Sequence, residues 1–131
     1  MHLGKESHWV WDDTTPSMGK GDLFICACGS ADVAHENTLC DNAKKTGATL
    51  ILITPSAKGH ILEIADKVIR IPATAYKAVY NSEDEYVPTV QMMGNQFEQA
   101  LLVFFDVIVM MISEEMGISK EEMESRHRNI E

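Results

Sequence analysis

Clusters of basic residues are missing from this 131-residue sequence: its eleven Lys and Arg are scattered among twenty Asp and Glu, for a formal charge of -9. That scarcity excludes nucleic acid and anionic membrane surfaces as partners, because both recruit grouped Lys and Arg. It leaves room for a small phosphate ester, which a few aimed N–H groups at a helix start can hold without any basic patch. Cysteine is scarce as well. Cys26, Cys28 and Cys40 are an odd number and no secretory signal opens the sequence, so the reading expects free thiols in a reducing cytoplasm and no disulfide framework. Cys26 and Cys28 fall on one face of a strand, but no CxxC or HxxxH pair follows them, so buried strand thiols are expected and a metal site is not. No apolar run reaches the roughly 20 residues of a membrane span; "ALLVFFDVIVMMI", from Ala100 to Ile112, is about 13 residues long and carries Asp106. A helix so apolar on nearly every side is expected to be covered by its own domain and by a second copy of the chain.

What the sequence does contain is the alternation of a parallel α/β fold in one domain. Strand-like runs occur at His8–Trp11, Leu23–Cys28, Thr49–Thr54 and Lys67–Ile71, the middle two being continuous apolar stretches of the kind buried on both faces. Ala34–Thr46, closed by Gly47, predicts a helix between the second and third runs, and Gly59–Ala65 predicts a short one before the fourth. These are βαβ units. After Pro72 the pattern breaks into a long loop, "ATAYKAVYNSEDEYVPTVQMMGN". A long helix follows over about 96–115, with Gly117 as its stop, and Ser119 with Glu122 forms a capping box that opens a final short helix.

The chemistry-bearing stretch is "CACGSADVAHE". Small residues at the C-terminal end of a strand let a ligand approach the backbone, and the following helix offers free N–H groups and the positive end of its dipole. Gly29 and Ser30 are the candidate anion contacts, with Asp32 or His35 completing the first turn. The same spacing also fits an ordinary strand-to-helix turn in which Ser30 is the N-cap.

Several segments, in order and spacing, carry a likeness to a known family: "MHLG", "GDLFICACGS", "AKKTGATLILIT", "IADKVIRIP", "QMMGNQFEQALLVFFD" and "SRHRNIE". Together they resemble the C-terminal two thirds of the sugar isomerase (SIS) domain family, with the 6-phospho-3-hexuloisomerases the nearest group. The resemblance implies a three-layer αβα sandwich with a parallel sheet in the flavodoxin-like strand order 2-1-3-4-5, lacking an N-terminal strand and helix portion. A family pattern Ser-Gly-Ser-Gly-Glu-Thr falls on Cys28, Gly29, Ser30, Ala31, Asp32 and Val33, and implies that Cys28, Gly29, Ser30 and Asp32 line a sugar-phosphate site. A second pattern, Gln-Pro-Met-Gly-Ser-Leu-Phe-Glu-Gln, falls on 91–99 and implies that Glu98 is the base of an enediol isomerisation. A third, Arg-His-Ala-Asn-Leu-Glu, falls on 126–131 and implies that His127 assists in moving protons.

The resemblance therefore implies a ketohexose 6-phosphate isomerase that needs no cofactor and no metal. It acts in the cytoplasm, without nucleic acid or membrane, as a homo-oligomer joined through the 96–115 helix. The loss of hydroxyl and glycine at Val33 and Ala31 favours a second reading, a sugar-phosphate-binding or regulatory module without turnover. A third keeps only the scaffold and the oligomer helix. With the strand expected at His8–Trp11 lying beyond a gap in that order, the N-terminal segment is expected to close the gap or to swap between subunits.

Overall fold

The computed structural model describes residues 1–81 and 86–130. It divides into two compact units, one of Ser17–Ala100 and one of Met1–Pro16 with Leu101–Glu131.

The larger unit carries a three-stranded, all-parallel sheet in the order β1-β2-β3, with β1 (Leu23–Ala27), β2 (Thr49–Thr54) and β3 (Lys67–Arg70). Leu23 pairs with Thr49 and Ala27 with Ile53, while Ile51 pairs with Lys67 and Thr54 with Arg70. This sequential order is that of the last three strands in the expected arrangement. The crossovers are α1 (Ala34–Thr46) and α2 (His60–Ile64), the first with the bounds predicted from the sequence. Gly47 ends α1 in the left-handed region (φ 85) and its N–H returns to the Lys44 carbonyl at 3.1 Å. Asp66 ties α1 to the start of β2: it accepts from Lys44 Nζ at 2.5 Å and from the Leu50 N–H at 2.7 Å. The Lys44 ammonium first, and then the Leu50 N–H, hold the Asp66 carboxyl below its ordinary range.

The core sits between the sheet and these two helices, in a cluster of Cys26, Cys28, Ala31, Cys40, Leu50, Leu52 and Ile61. The central strand is buried on both faces, since Leu50, Leu52 and Ile53 are all essentially inaccessible. Burying one such side chain contributes about 1.5–3 kcal/mol. Here β1 departs from its sequence pattern. Cys26 points into the core, but Leu23 and Ile25 are about half exposed, so this apolar strand is an edge with one covered face.

The strand predicted at His8–Trp11 does not form. The Asp12 N–H donates to the Trp9 carbonyl at 2.9 Å, and Asp12 Oδ1 accepts from both the N–H and the hydroxyl of Thr14 at 2.9 and 2.8 Å. These local side-chain bonds give the backbone an alternative to a ladder. The bonds from Thr14 also hold the Asp12 carboxyl below its usual value.

The long helix α3 (Asn95–Glu115) begins in the larger unit and continues into the smaller one, and Gly117 stops it at φ 64. Extending beyond the apolar run at both ends, it has 21 residues and a window of mean hydropathy 1.6, and by length and composition it could cross a bilayer. Its Leu102, Val103, Met110 and Met111 are exposed. In α4 (Lys120–Ser125), Ser119 Oγ accepts from the Glu122 N–H at 3.1 Å, which is the cap read from the sequence.

Candidate functional site

The last rung of β1 is the Cys28 N–H to the Ile53 carbonyl at 3.1 Å, after which the chain turns sharply. The Ala31 N–H closes the turn onto the Cys28 carbonyl at 3.3 Å, with Ala31 itself in the left-handed region (φ 55). A non-glycine residue there costs about 1–2 kcal/mol relative to right-handed backbone, and Ala31 is the position where the family pattern has its second Gly. Tertiary contacts hold it in place: its carbonyl accepts from the Ile61 N–H at 3.0 Å, and its side chain is fully buried. Thr54 Oγ1 donates to the Gly29 carbonyl at 3.4 Å.

Ser30 is not the N-cap of α1. Val33 takes that place without a side-chain bond, and Ser30 Oγ instead accepts from the Asp32 N–H at 3.3 Å. Among the described residues the N–H groups of Gly29 and Ser30 donate to no protein acceptor. Asp32 is exposed and accepts from Asn37 Nδ2 at 2.7 Å, within the first turns of α1. The Cys28 thiol is buried in the core, where that burial pushes its pKa up, and its sulfur lies 3.9 Å from the Ser30 hydroxyl. The Cys26 thiol is also pushed up, by its hydrogen bond with Cys40 and by burial. Both thiols therefore remain protonated at neutral pH and fill the core.

Glu98 lies in the first turn of α3, exposed, with its N–H bonded to the Gly94 carbonyl at 2.9 Å. Its carboxylate folds back over the start of the helix, since a Cβ on Gly94 would meet Oε1 at 3.3 Å. Two residues beside it fix this turn. Gln96 Oε1 accepts from the N–H and hydroxyl of Thr74 at 2.7 and 2.9 Å. Phe97 is buried against Gly29: a Cβ on that glycine would lie 3.6 Å from the Phe97 ring and 2.9 Å from the Ala75 methyl. The bare backbone at Gly29 thus accommodates the residue next to Glu98. The 73–80 loop is pinned in turn, because Tyr80 hydroxyl accepts from the Ala75 N–H at 2.8 Å and donates to the Ala73 carbonyl at 3.2 Å.

Cys28, Gly29, Ser30, Asp32 and Glu98 all belong to the larger unit, and His127 to the smaller. Glu131, which matches the third family pattern, lies outside the described residues. Sequence reasoning did not weigh Phe97, Gln96, Thr74 or Ala75. The signal for Phe97 was present in the 91–99 pattern, as an apolar residue directly before the acidic one. Among the described residues no group of three or more His, Cys, Asp or Glu is arranged to hold a metal ion.

No family model matches the chain. Over its full 131 residues, however, it is 32% identical to the 3-hexulose-6-phosphate isomerase of Bacillus subtilis and covers 69% of that protein. The chain belongs to the 3-hexulose-6-phosphate isomerase family. It is also 32% identical to the enzyme of that name from Mycobacterium gastri, of which it covers 63%, and 32% identical to the one from Methanocaldococcus jannaschii, of which it covers 65%. The chain thus spans about two thirds of the length of these relatives. Among solved structures, it is similar to a Methanococcus jannaschii protein whose crystal structure led to an inferred function of 3-hexulose-6-phosphate isomerase. Identity there is 31%, coverage is 99% of this chain and 66% of that one, and the TM-score is 0.78. A second crystal structure, at 22% identity and a TM-score of 0.82, supports the α/β fold alone. The sugar-phosphate isomerase assignment of the family agrees with the SIS resemblance in the sequence.

Proposed function

We propose that this chain is a ketohexose 6-phosphate isomerase that works through an enediol. The single observation that carries the reading is the packing of Phe97 onto Gly29, which sets the Glu98 turn beside a strand end whose Gly29 and Ser30 amides are free to meet a phosphate. Each such charge-assisted N–H bond contributes about 1.5–3 kcal/mol. The Glu98 carboxylate takes the proton from the carbon beside the carbonyl, the electron pair moves into an enediolate, and the same carboxylate returns the proton to the former carbonyl carbon. By the family resemblance, His127 approaches the site of a neighbouring subunit and moves the proton between the two substrate oxygens there. Cys28 and Asp32 shape the phosphate loop, Cys28 through its backbone and Asp32 through its bond to Asn37. No cofactor or metal enters this scheme, and the reaction takes place in the cytoplasm.

A titration with fructose 6-phosphate and 3-hexulose 6-phosphate tests the binding half. Both esters are expected to raise the melting temperature, while the sugars without phosphate are not. Ser30→Ala removes the oxygen that orders the Asp32 amide and weakens ester binding about tenfold, the equivalent of one lost hydrogen bond. An equal response to sugar and sugar phosphate would sink the phosphate assignment.

The second reading, binding without turnover, has its own support. Val33 offers no donor, and Glu36 brings a carboxylate into the first turn of α1, where it opposes an anion at the same helix end. Ester stabilisation with no conversion would select it.

The exposed apolar residues of α3 are covered, in this proposal, by a second copy of the chain, since so many on one helix form a patch of the kind found at subunit interfaces. Light scattering at micromolar concentration is expected to give a dimer or larger. A monomer would remove this part of the proposal without touching the site.

A further inference from the structure

The loop after β1 ties down three of its carbonyls and leaves the Gly29 and Ser30 amides without a protein acceptor among the described residues. The Cys28 carbonyl accepts from the Ala31 N–H at 3.3 Å, and the Ala31 carbonyl from the Ile61 N–H at 3.0 Å. Between them, the Gly29 carbonyl accepts from the Thr54 hydroxyl at 3.4 Å, the one bond of the three that a side chain makes. Thr54 is the last residue of β2 and is inaccessible to solvent. Its hydroxyl oxygen accepts from the Ser56 N–H at 3.1 Å, which leaves the single hydroxyl hydrogen to point at Gly29. Ser56 is equally buried and is itself fixed: its Oγ accepts from the Val79 N–H at 2.9 Å and donates to the Lys58 carbonyl at 2.8 Å.

The Gly29 carbonyl and the Ser30 N–H belong to one planar peptide unit, and no peptide bond among the described residues is cis. In a trans unit these two groups point in opposite directions, so the bond that holds the carbonyl toward Thr54 aims the Ser30 N–H away from it. Gly29 has no Cβ to resist rotation of that unit. Rotated by half a turn, the unit would present a carbonyl oxygen where an anion needs a donor. We propose that Thr54 is a positioning residue, whose hydroxyl holds the Gly29–Ser30 peptide with its N–H facing the substrate phosphate. This role rests on the reading of the Gly29 and Ser30 amides as phosphate contacts. It gives a fully buried hydroxyl at the end of β2 a part in substrate binding, although it touches no substrate atom.

Anion titration followed by amide NMR of the 15N-labelled chain tests this, for the unaltered protein and for Thr54→Val, Thr54→Ser and Ser56→Ala. In the unaltered chain, inorganic phosphate and fructose 6-phosphate are expected to move the Gly29 and Ser30 amide signals. Thr54→Val keeps the shape and loses the hydroxyl: Kd for both anions rises about tenfold, the equivalent of one weakened charge-assisted bond, and the Ser30 signal responds less. In turnover, KM rises by a similar factor while kcat stays within about threefold. Thr54→Ser keeps the hydroxyl and binds within about twofold of the unaltered chain. Ser56→Ala breaks the bonds to Val79 and Lys58 without touching the Gly29 carbonyl, so it lowers the melting temperature and leaves anion affinity within about twofold. Unchanged affinity in Thr54→Val, or an equal loss in Thr54→Ser or Ser56→Ala, would overturn the proposal. If Thr54→Val does not fold, the unaltered chain decides: a slowly exchanging Thr54 hydroxyl proton is expected, and a rapidly exchanging one overturns the role. Phosphate that leaves both amides of the unaltered chain unmoved ends the phosphate reading and this role with it, whereas a failure confined to the variants ends this role alone.

Discussion

Glu98→Gln is expected to lower turnover of ketohexose 6-phosphate by roughly 10²–10⁴-fold, the contribution of a positioned general base, while leaving ester binding intact. Glu98 is on the surface of the first turn of α3, so an isosteric amide removes no packing and keeps the helix bonds, including that of its N–H to the Gly94 carbonyl. Stability should therefore change by less than about 0.5 kcal/mol. The turn itself is fixed by Gln96 on Thr74 and by Phe97 against Gly29, neither of which the substitution touches. What changes is the ability to accept a proton from carbon. The expected signature is a fall in kcat with KM and the ester-induced thermal shift retained. Turnover within about threefold of the unaltered chain would remove Glu98 from the mechanism.

The second large effect is structural. Gly59→Ala should destabilise the fold by about 3–5 kcal/mol, because overpacking and a forbidden backbone conformation act together. Gly59 has φ 148, and a Cβ there would lie 2.6 Å from the carbonyl carbon of Ala31 and closer still to its oxygen. These are backbone atoms of the left-handed residue in the candidate phosphate loop, and they cannot swing aside as a side-chain tip would. The Ile61 N–H bond to the Ala31 carbonyl would be strained by the same displacement. Urea unfolding measures the first effect. Ester titration of the fraction that remains folded measures the second, with affinity expected to fall because the Gly29 and Ser30 amides move with Ala31. A midpoint unchanged to within about 0.5 kcal/mol would show that the α2 start and the loop are not packed as described.

These two positions illustrate how unequal the sequence signals were. The 91–99 pattern pointed to Glu98, and the chemistry of a carboxylate beside a phosphate site supplied the role. Gly59 carried no comparable signal, since its importance comes from Ala31, a residue far away in the chain that approaches it only through the crossover of α2. Phe97 was similar: its apolar side chain was visible, but its partner Gly29 was not. The helices α1 and α4 were legible because their end signals are local, Gly47 after one and Ser119 before the other. The segment His8–Trp11 was misread for the opposite reason. Its alternation resembles a strand, yet Asp12 and Thr14 satisfy the backbone within a few residues. Of the two roles the spacing allowed Ser30, that of N-cap is excluded, because a hydroxyl next to a turn has two competing partners and the bend at Ala31 turns it toward Asp32.

The amino-acid sequence by itself determined the strand-and-helix order of the sheet unit, the placement of its central strand in the core and the family to which the chain belongs. Those follow from periodicity, end signals and motif spacing, all of which are properties of short stretches. Only the tertiary structure decided that β1 is an edge with one open face and that Phe97 rests on Gly29. The physical reason is that burial and hydrogen-bond partnership depend on which distant surfaces meet, and a local pattern of polar and apolar residues is compatible with several such meetings.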